Sequence, residues 1–156
     1  MRSATDSGTD SVHEIEVQWG DLDSLGIVFY PHFFAWADEG AHQLFRAAEL
    51  PMDRLLTERK MSFGLVSSAA EFHSPARYGD RLLCRSTISK LGGRSVELTH
   101  RMVRRADEAP VATVREIRVC MDLSDPGRIR AQELPPDVAS GLRRFEAPAT
   151  GADGAR

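Results

Sequence analysis

The stretch Gly20-Asp21-Leu22-Asp23-Ser24-Leu25-Gly26-Ile27-Val28-Phe29-Tyr30-Pro31 sets two carboxylates and two glycines close to a proline-led helical segment. A helix start leaves backbone N–H groups unpaired and carries partial positive charge. Such groups polarise a carbonyl as an oxyanion hole does, and a carboxylate beside them acts as nucleophile or as base toward water. The same residues also suit a purely local role, an Asx turn plus a helix cap. A calcium loop does not fit: Leu25 stands where a third oxygen ligand belongs, and no Glu fills the twelfth position.

Other polar residues offer weaker combinations. Asp38 and His42 are four apart and share a helix face, so they either pair, reach into a pocket or lie in solvent. Ser67, Ser68 and His73 invite a Ser–His reading, but no G-x-S-x-G elbow presents the serine. Small strand residues facing a helix explain them as well. His13, His32, His42, His73 and His100 lack the spacing of a zinc helix, so no metal site is expected. Cys84 and Cys120 read as small buried hydrophobes. Arg94 follows Gly92-Gly93, and Arg101, Arg104 and Arg105 lie on the next strand, where they either meet phosphates or line a solvated face.

These residues need elements to hold them. Val12 to Trp19 alternates, with Ile15, Val17 and Trp19 on one side, and reads as a half-buried strand. Pro31 opens a helix to about Ala48, with Phe33, Phe34, Ala37, Ala41, Leu44 and Phe45 at intervals of three and four. Leu50-Pro51 stops it, and a short helix follows over 52–58. The period then becomes two, over 63–72, 81–91, 95–104 and 111–123. Gly92-Gly93 marks a hairpin, because both residues accept positive φ, and Asp107-Glu108-Ala109-Pro110 marks the next turn. The sets Leu82/Cys84/Ser86/Ile88, Val96/Leu98/His100/Met102 and Val111/Thr113/Arg115/Ile117/Val119 are assigned to one face each. Short connections make the strands antiparallel. The result is an α+β domain, a five-stranded antiparallel sheet laid against one long helix. Leu83, Leu91, Val103, Ala112, Val114 and Cys120 fall on the alternate parity, and that apolar outer face calls for a dimer.

The 156 residues make one domain, assigned to 12–145, with flexible ends at 1–11 and 146–156. Lys+Arg of 20 against Asp+Glu of 23 gives a net charge of -3, which argues against nucleic-acid binding by overall charge. No run is long and apolar enough to span a bilayer, no signal segment opens the chain, and two cysteines make no disulfide scaffold. A cytoplasmic protein without membrane attachment is expected.

The string from Trp19 to Pro31, continued by Phe33 and Trp36, resembles the hotdog-fold acyl-CoA thioesterases of the 4-hydroxybenzoyl-CoA thioesterase type. Weaker similarity runs through Leu65-Val66-Ser67, Arg94-Ser95 and Arg115-Glu116-Ile117-Arg118-Val119, covering about 13–135 in all. The resemblance implies a hotdog fold and homodimers with shared sites, joined as homotetramers. It implies hydrolysis of an aromatic acyl-CoA, of benzoyl or hydroxybenzoyl type. No cofactor is needed, since coenzyme A is part of the substrate. By the same resemblance Asp23 is the catalytic carboxylate, the Tyr30 backbone N–H polarises the carbonyl and Gly26 allows the close approach. Asp38, with His42, Phe63 and Ser67, lines the acyl pocket, and Arg94-Ser95 meets coenzyme A. The sequence departs from the family where Phe63 replaces a pocket Thr, and where Gly92-Gly93-Arg94 keeps one cation of a basic triplet. A thioesterase for carrier-protein-bound chains and a non-catalytic binding module are the alternatives.

Overall fold

The computed structural model describes residues 8–148. The order is β1 (Ser11–Glu16), α1 (Pro31–Ala47), α2 (Met52–Arg59), β2 (Met61–Phe72), β3 (Arg81–Leu91), β4 (Ser95–Arg104), β5 (Pro110–Asp122), β6 (Arg130–Ala131) and α3 (Pro136–Arg143). Five long strands form one antiparallel sheet in the order β1-β3-β4-β5-β2. The two-residue β6 pairs with Met121 and Asp122, beyond the Ser95–Val119 pair that ends the β4 ladder. This is the hotdog arrangement, a curled sheet around α1.

α1 forms where the apolar period and the leading proline place it. Phe33, Ala37, Gly40, Ala41, Leu44 and Phe45 are its buried face. It ends where Glu49 turns left-handed (φ 63) and the Leu50 N–H returns to the Phe45 carbonyl. Two apolar clusters fill the space beneath it. One gathers Phe33, Ala37, Leu82, Cys84, Met102 and Val114. The other gathers Leu44, Phe45, Phe63, Ile88, Leu98 and Val138. Between them lies a buried polar layer of Ser86, His100 and Glu116, crossed by α1 at Gly40.

Several expectations need correction. On β5 the helix-facing set is Ala112, Val114, Glu116, Arg118 and Cys120, not Val111/Thr113/Arg115/Ile117/Val119. The register settles this, because Val96, Leu98, His100 and Met102 stand opposite Arg118, Glu116, Val114 and Ala112. Two charged residues therefore point inward. Trp19 leaves the β1 face: the strand stops at Glu16, a 3-10 turn takes Trp19–Asp21, and the indole is exposed. Neither Gly92 nor Gly93 has positive φ, and the hairpin closes through the Gly92 N–H to the Ser95 carbonyl at 2.8 Å. α3 adds Val138 and Leu142 to the core and is absent from the sequence reading. Of the ends assigned as flexible, 1–7 and 149–156 lie outside the described residues. Ser11 already belongs to β1, and the Ala147 N–H bonds the Ile88 carbonyl.

Candidate active site

The loop before α1 folds back as a small hairpin. Leu22 and Val28 bridge, the Asp23 N–H bonds the Ile27 carbonyl, and the Gly26 N–H bonds the Asp23 carbonyl at 3.0 Å. Gly26 sits at φ 73, a conformation that a side chain strains. The two carboxylates divide their work. Asp21 Oδ2 accepts the Gln18 N–H at 2.8 Å and Oδ1 lies 3.5 Å from His32 Nδ1, so it ties the 3-10 turn to α1. Asp23 Oδ1 accepts the Leu25 N–H at 2.8 Å, the expected Asx turn. Its Oδ2 has no protein partner among the described residues. The turn thus orients the carboxylate and leaves one oxygen available.

Tyr30 caps α1 in helical conformation, immediately ahead of Pro31. Its backbone N–H makes no hydrogen bond among the described residues, while Phe29, His32 and Phe33 N–H groups are all used. Asp23 and Tyr30 line one cavity of about 450 Å³, walled by Phe33, Phe72, His73 and Ala76. Tyr30 and Phe72, both exposed, stand edge-on at 6.5 Å at its mouth. His73 Nε2 contacts Thr113 Oγ1 at 3.0 Å and pairs with neither serine, so no Ser–His couple forms.

His42 and Phe63 come together elsewhere, and Asp38, half exposed, adjoins them through Arg118 without lining their cavity. A second cavity of about 550 Å³ is lined by His42, Arg46, Met52, Leu56, Phe63 and Arg118. Phe63 is buried and packs on Phe45 with ring centres 4.8 Å apart. Asp38 Oδ1 accepts Arg118 Nη2 at 2.6 Å, and its Oδ2 is 3.7 Å from His42 Nε2. No residue lines both this cavity and that of Asp23 within one chain. Ser67 joins neither. A bulge between Leu65 and Ser67 sets Ser67 opposite Ile117 on the outer face, and Ser68 opposite Glu116 on the inner one. Ser67 is exposed, whereas Ser68 Oγ is buried without a protein partner. Arg94 and Ser95 form the far side of the β3–β4 hairpin. Arg94 Nε donates to Glu133 Oε1 at 2.9 Å on an open surface.

Sequence reasoning missed the buried chain of polar groups behind the second cavity. Ser86 Oγ meets His100 Nδ1 at 2.7 Å, and His100 Nε2 meets Glu116 Oε2 at 3.2 Å. Arg118 Nε donates to the same Glu116 oxygen at 3.1 Å. Burial alone pushes the Glu116 carboxyl up, but the hydrogen bonds from His100 and Arg118 outweigh it and hold the group below the ordinary carboxylate range. The only sequence signal was two charges on a strand whose other parity was equally apolar. Cys84 is pushed to about 12 by burial, which leaves its thiol un-ionised at neutral pH. Among the described residues no group of three or more His, Cys, Asp or Glu could hold a metal, and no helix is long and apolar enough to cross a membrane.

Comparison with known proteins places this geometry. Residues 17–142 match the family model of the thioesterase-like superfamily. The 4-hydroxybenzoyl-CoA thioesterase of Pseudomonas sp. (strain CBS-3) is 31% identical over 126 residues, which cover 78% of this chain and 89% of that protein. Its solved structure superposes with a TM-score of 0.78 at 28% identity, over 85% of this chain and 99% of that one. A solved gentisyl-coenzyme A thioesterase gives 0.73 at 27% identity, over 85% and 99%. With the fold, the loop before α1 and these matches in agreement, the chain belongs to the thioesterase-like superfamily and is a hotdog thioester hydrolase.

Proposed function

We propose that the protein hydrolyses an aromatic acyl-CoA, of benzoyl or hydroxybenzoyl type, to the free acid and coenzyme A in the cytoplasm. The observation that carries this is Asp23 with one unpaired oxygen, on the wall of a cavity that also holds the unused Tyr30 N–H. In this reading the N–H draws charge onto the thioester oxygen. Asp23 attacks the carbonyl carbon to give a mixed anhydride that water opens, or it removes a proton from the attacking water. Gly26 permits the turn that brings the carboxylate to the helix start. Coenzyme A lies with its phosphates toward Arg94 and Ser95, where the exposed contact to Glu133 yields to an anion at little cost.

The acyl end is assigned to the cavity of His42 and Phe63, with Asp38 beside it on Arg118. Because that cavity and the Asp23 cavity are separate in one chain, the site is shared between two copies, one giving Asp23 and the Tyr30 N–H and the other the acyl wall. A homodimer is therefore the working unit, paired further into a homotetramer. Ser67, exposed on the outer face, takes its place only in such an assembly. Aromatic walls at both cavities, and relatives named for 4-hydroxybenzoyl-CoA and gentisyl-CoA, support the aromatic class. The test is a panel of benzoyl, hydroxybenzoyl, phenylacetyl, short aliphatic and long aliphatic CoA esters beside carrier-protein thioesters. An aromatic CoA ester should have the highest kcat/KM. Preference for a carrier-protein thioester would overturn the proposal.

A further inference from the structure

The outer face of the sheet, turned away from α1, gathers three arginines on three neighbouring strands. Arg85 of β3 stands directly opposite Arg101 of β4, and Arg115 of β5 lies one pair along, opposite Thr99. All three point outward, because the residues on either side of each (Cys84 and Ser86, His100 and Met102, Val114 and Glu116) are buried on the inner face. Like charges set directly opposite each other destabilise a sheet, so the fold does not call for the Arg85–Arg101 pair. In a chain of net charge -3 it is a local excess of positive charge. The carboxylates nearby do not neutralise it. Asp10 holds Arg85 loosely, with Oδ2 3.5 Å from Nη1. Glu71 holds Arg115 at 2.9 Å in an exposed pair, which is worth little. Neither Arg101 nor the Glu97 carboxylate has an ion pair or a side-chain hydrogen bond among the described residues. Thr87 and Thr99, paired across β3 and β4, lie beside the arginines. Both are buried, and neither hydroxyl has a hydrogen-bond partner among the described residues. Thr113, on the far side of Arg101, is taken by His73 Nε2 at 3.0 Å.

We propose that this outer face binds the phosphates of a phosphorylated small molecule. Arg85 and Arg101 take one phosphate between them, which turns a repulsive pair into a chelating one. Thr99 adds its hydroxyl, and Arg115 leaves Glu71 for a second phosphate. Strands stand about 4.8 Å apart, so β3 to β5 spans about 10 Å, which suits a diphosphate better than a single phosphate. The site lies about 20 Å along β4 from Arg94 and Ser95, so it is separate from the contact assigned to coenzyme A and does not rest on the functional reading. Three cations on a net-acidic chain make too small a footprint for a nucleic acid.

The experiment is calorimetric titration of pyrophosphate at constant ionic strength into the full chain in its native assembly, as wild type, Arg101→Gln and Arg94→Gln. Wild type should bind, and Arg101→Gln should bind about tenfold or more weakly, the scale of a hydrogen bond to an ionised group. Arg94→Gln should bind as wild type does. Without pyrophosphate, Arg101→Gln should melt about 1–3 °C above wild type, because the cross-strand repulsion is relieved. That rise separates lost binding from lost fold, and a lower melting temperature would overturn the inference by giving Arg101 a packing role. Equal affinity in wild type and Arg101→Gln overturns it too, as does loss of binding in Arg94→Gln. A raised KM for CoA esters in Arg101→Gln would identify the diphosphate as that of coenzyme A and overturn the separate site. Binding of a short DNA duplex but not of pyrophosphate would overturn the small-molecule assignment.

Discussion

Gly40 is where α1 comes closest to the polar layer of the sheet. A Cβ there would stand 2.6 Å from Ser86 Oγ, 2.9 Å from His100 Nδ1 and 3.3 Å from Cys84 Sγ. Gly40→Ala therefore sets two effects against each other. In a helix interior Ala is favoured over Gly by about 1 kcal/mol. Against that, the methyl forces either the helix off the sheet or the Ser86 hydroxyl away from His100. Overpacking of this kind costs about 1–3 kcal/mol, and a buried polar atom left without its partner costs about 1–3 kcal/mol more. The loss exceeds the gain, so the variant should be destabilised by about 1–5 kcal/mol. At about 2–4 °C per kcal/mol for a chain of this size, the melting temperature should fall by several degrees. Thermal unfolding measures the shift in melting temperature, and urea unfolding the free energy, both followed by the fluorescence of Trp19 and Trp36. In Gly40→Ala/Ser86→Ala the shortest clash is gone, so the second substitution should cost less than it does alone. Gly40→Ala with stability equal to or above wild type would refute the reasoning, because only helix propensity would then be acting.

Two further outcomes follow from the charges. Arg94→Ala should raise KM for CoA esters more than for a short pantetheine ester that lacks the phosphates, and an equal effect on both would remove Arg94 from the phosphate contact. Glu116 governs part of the acid stability. Its folded-state pKa is depressed below the ordinary 4.5, so its contribution is present above that value and lost as pH falls through the lower folded one. Wild type should lose stability below about pH 4.5, and Glu116→Gln should lose less over the same range. Parallel curves from urea unfolding at a series of pH values would contradict this.

Much of this was legible in the residues, and the failures share a cause. α1, the hairpins and the five long strands follow from period, proline and turn residues, which are local signals. The loop with Asp23 was legible too, and its two readings proved compatible: one oxygen makes the Asx turn and the other is left over. What could not be read was anything set by the partner strand. Both parities of 111–120 carry apolar residues, so only the register against β4 shows that Glu116 and Arg118 point inward. The bulge that exchanges Ser67 for Ser68 has no sequence mark. β6 is too short to show a period, and α3 opens on Pro135-Pro136 and contains Gly141, which mask its apolar Val138 and Leu142. The separation of Asp23 from the cavity of His42 and Phe63 is a property of the folded chain alone.

The most direct measurement is steady-state turnover of the preferred aromatic CoA ester by purified Asp23→Asn. Asn keeps the side-chain oxygen that accepts the Leu25 N–H, so the loop and the oligomer should persist, as circular dichroism and light scattering would show. It lacks the carboxylate that either attacks carbon or takes a proton from water. We predict a fall in kcat of about 10²-fold or more, with KM little changed. Wild-type kcat in the folded variant would contradict the account.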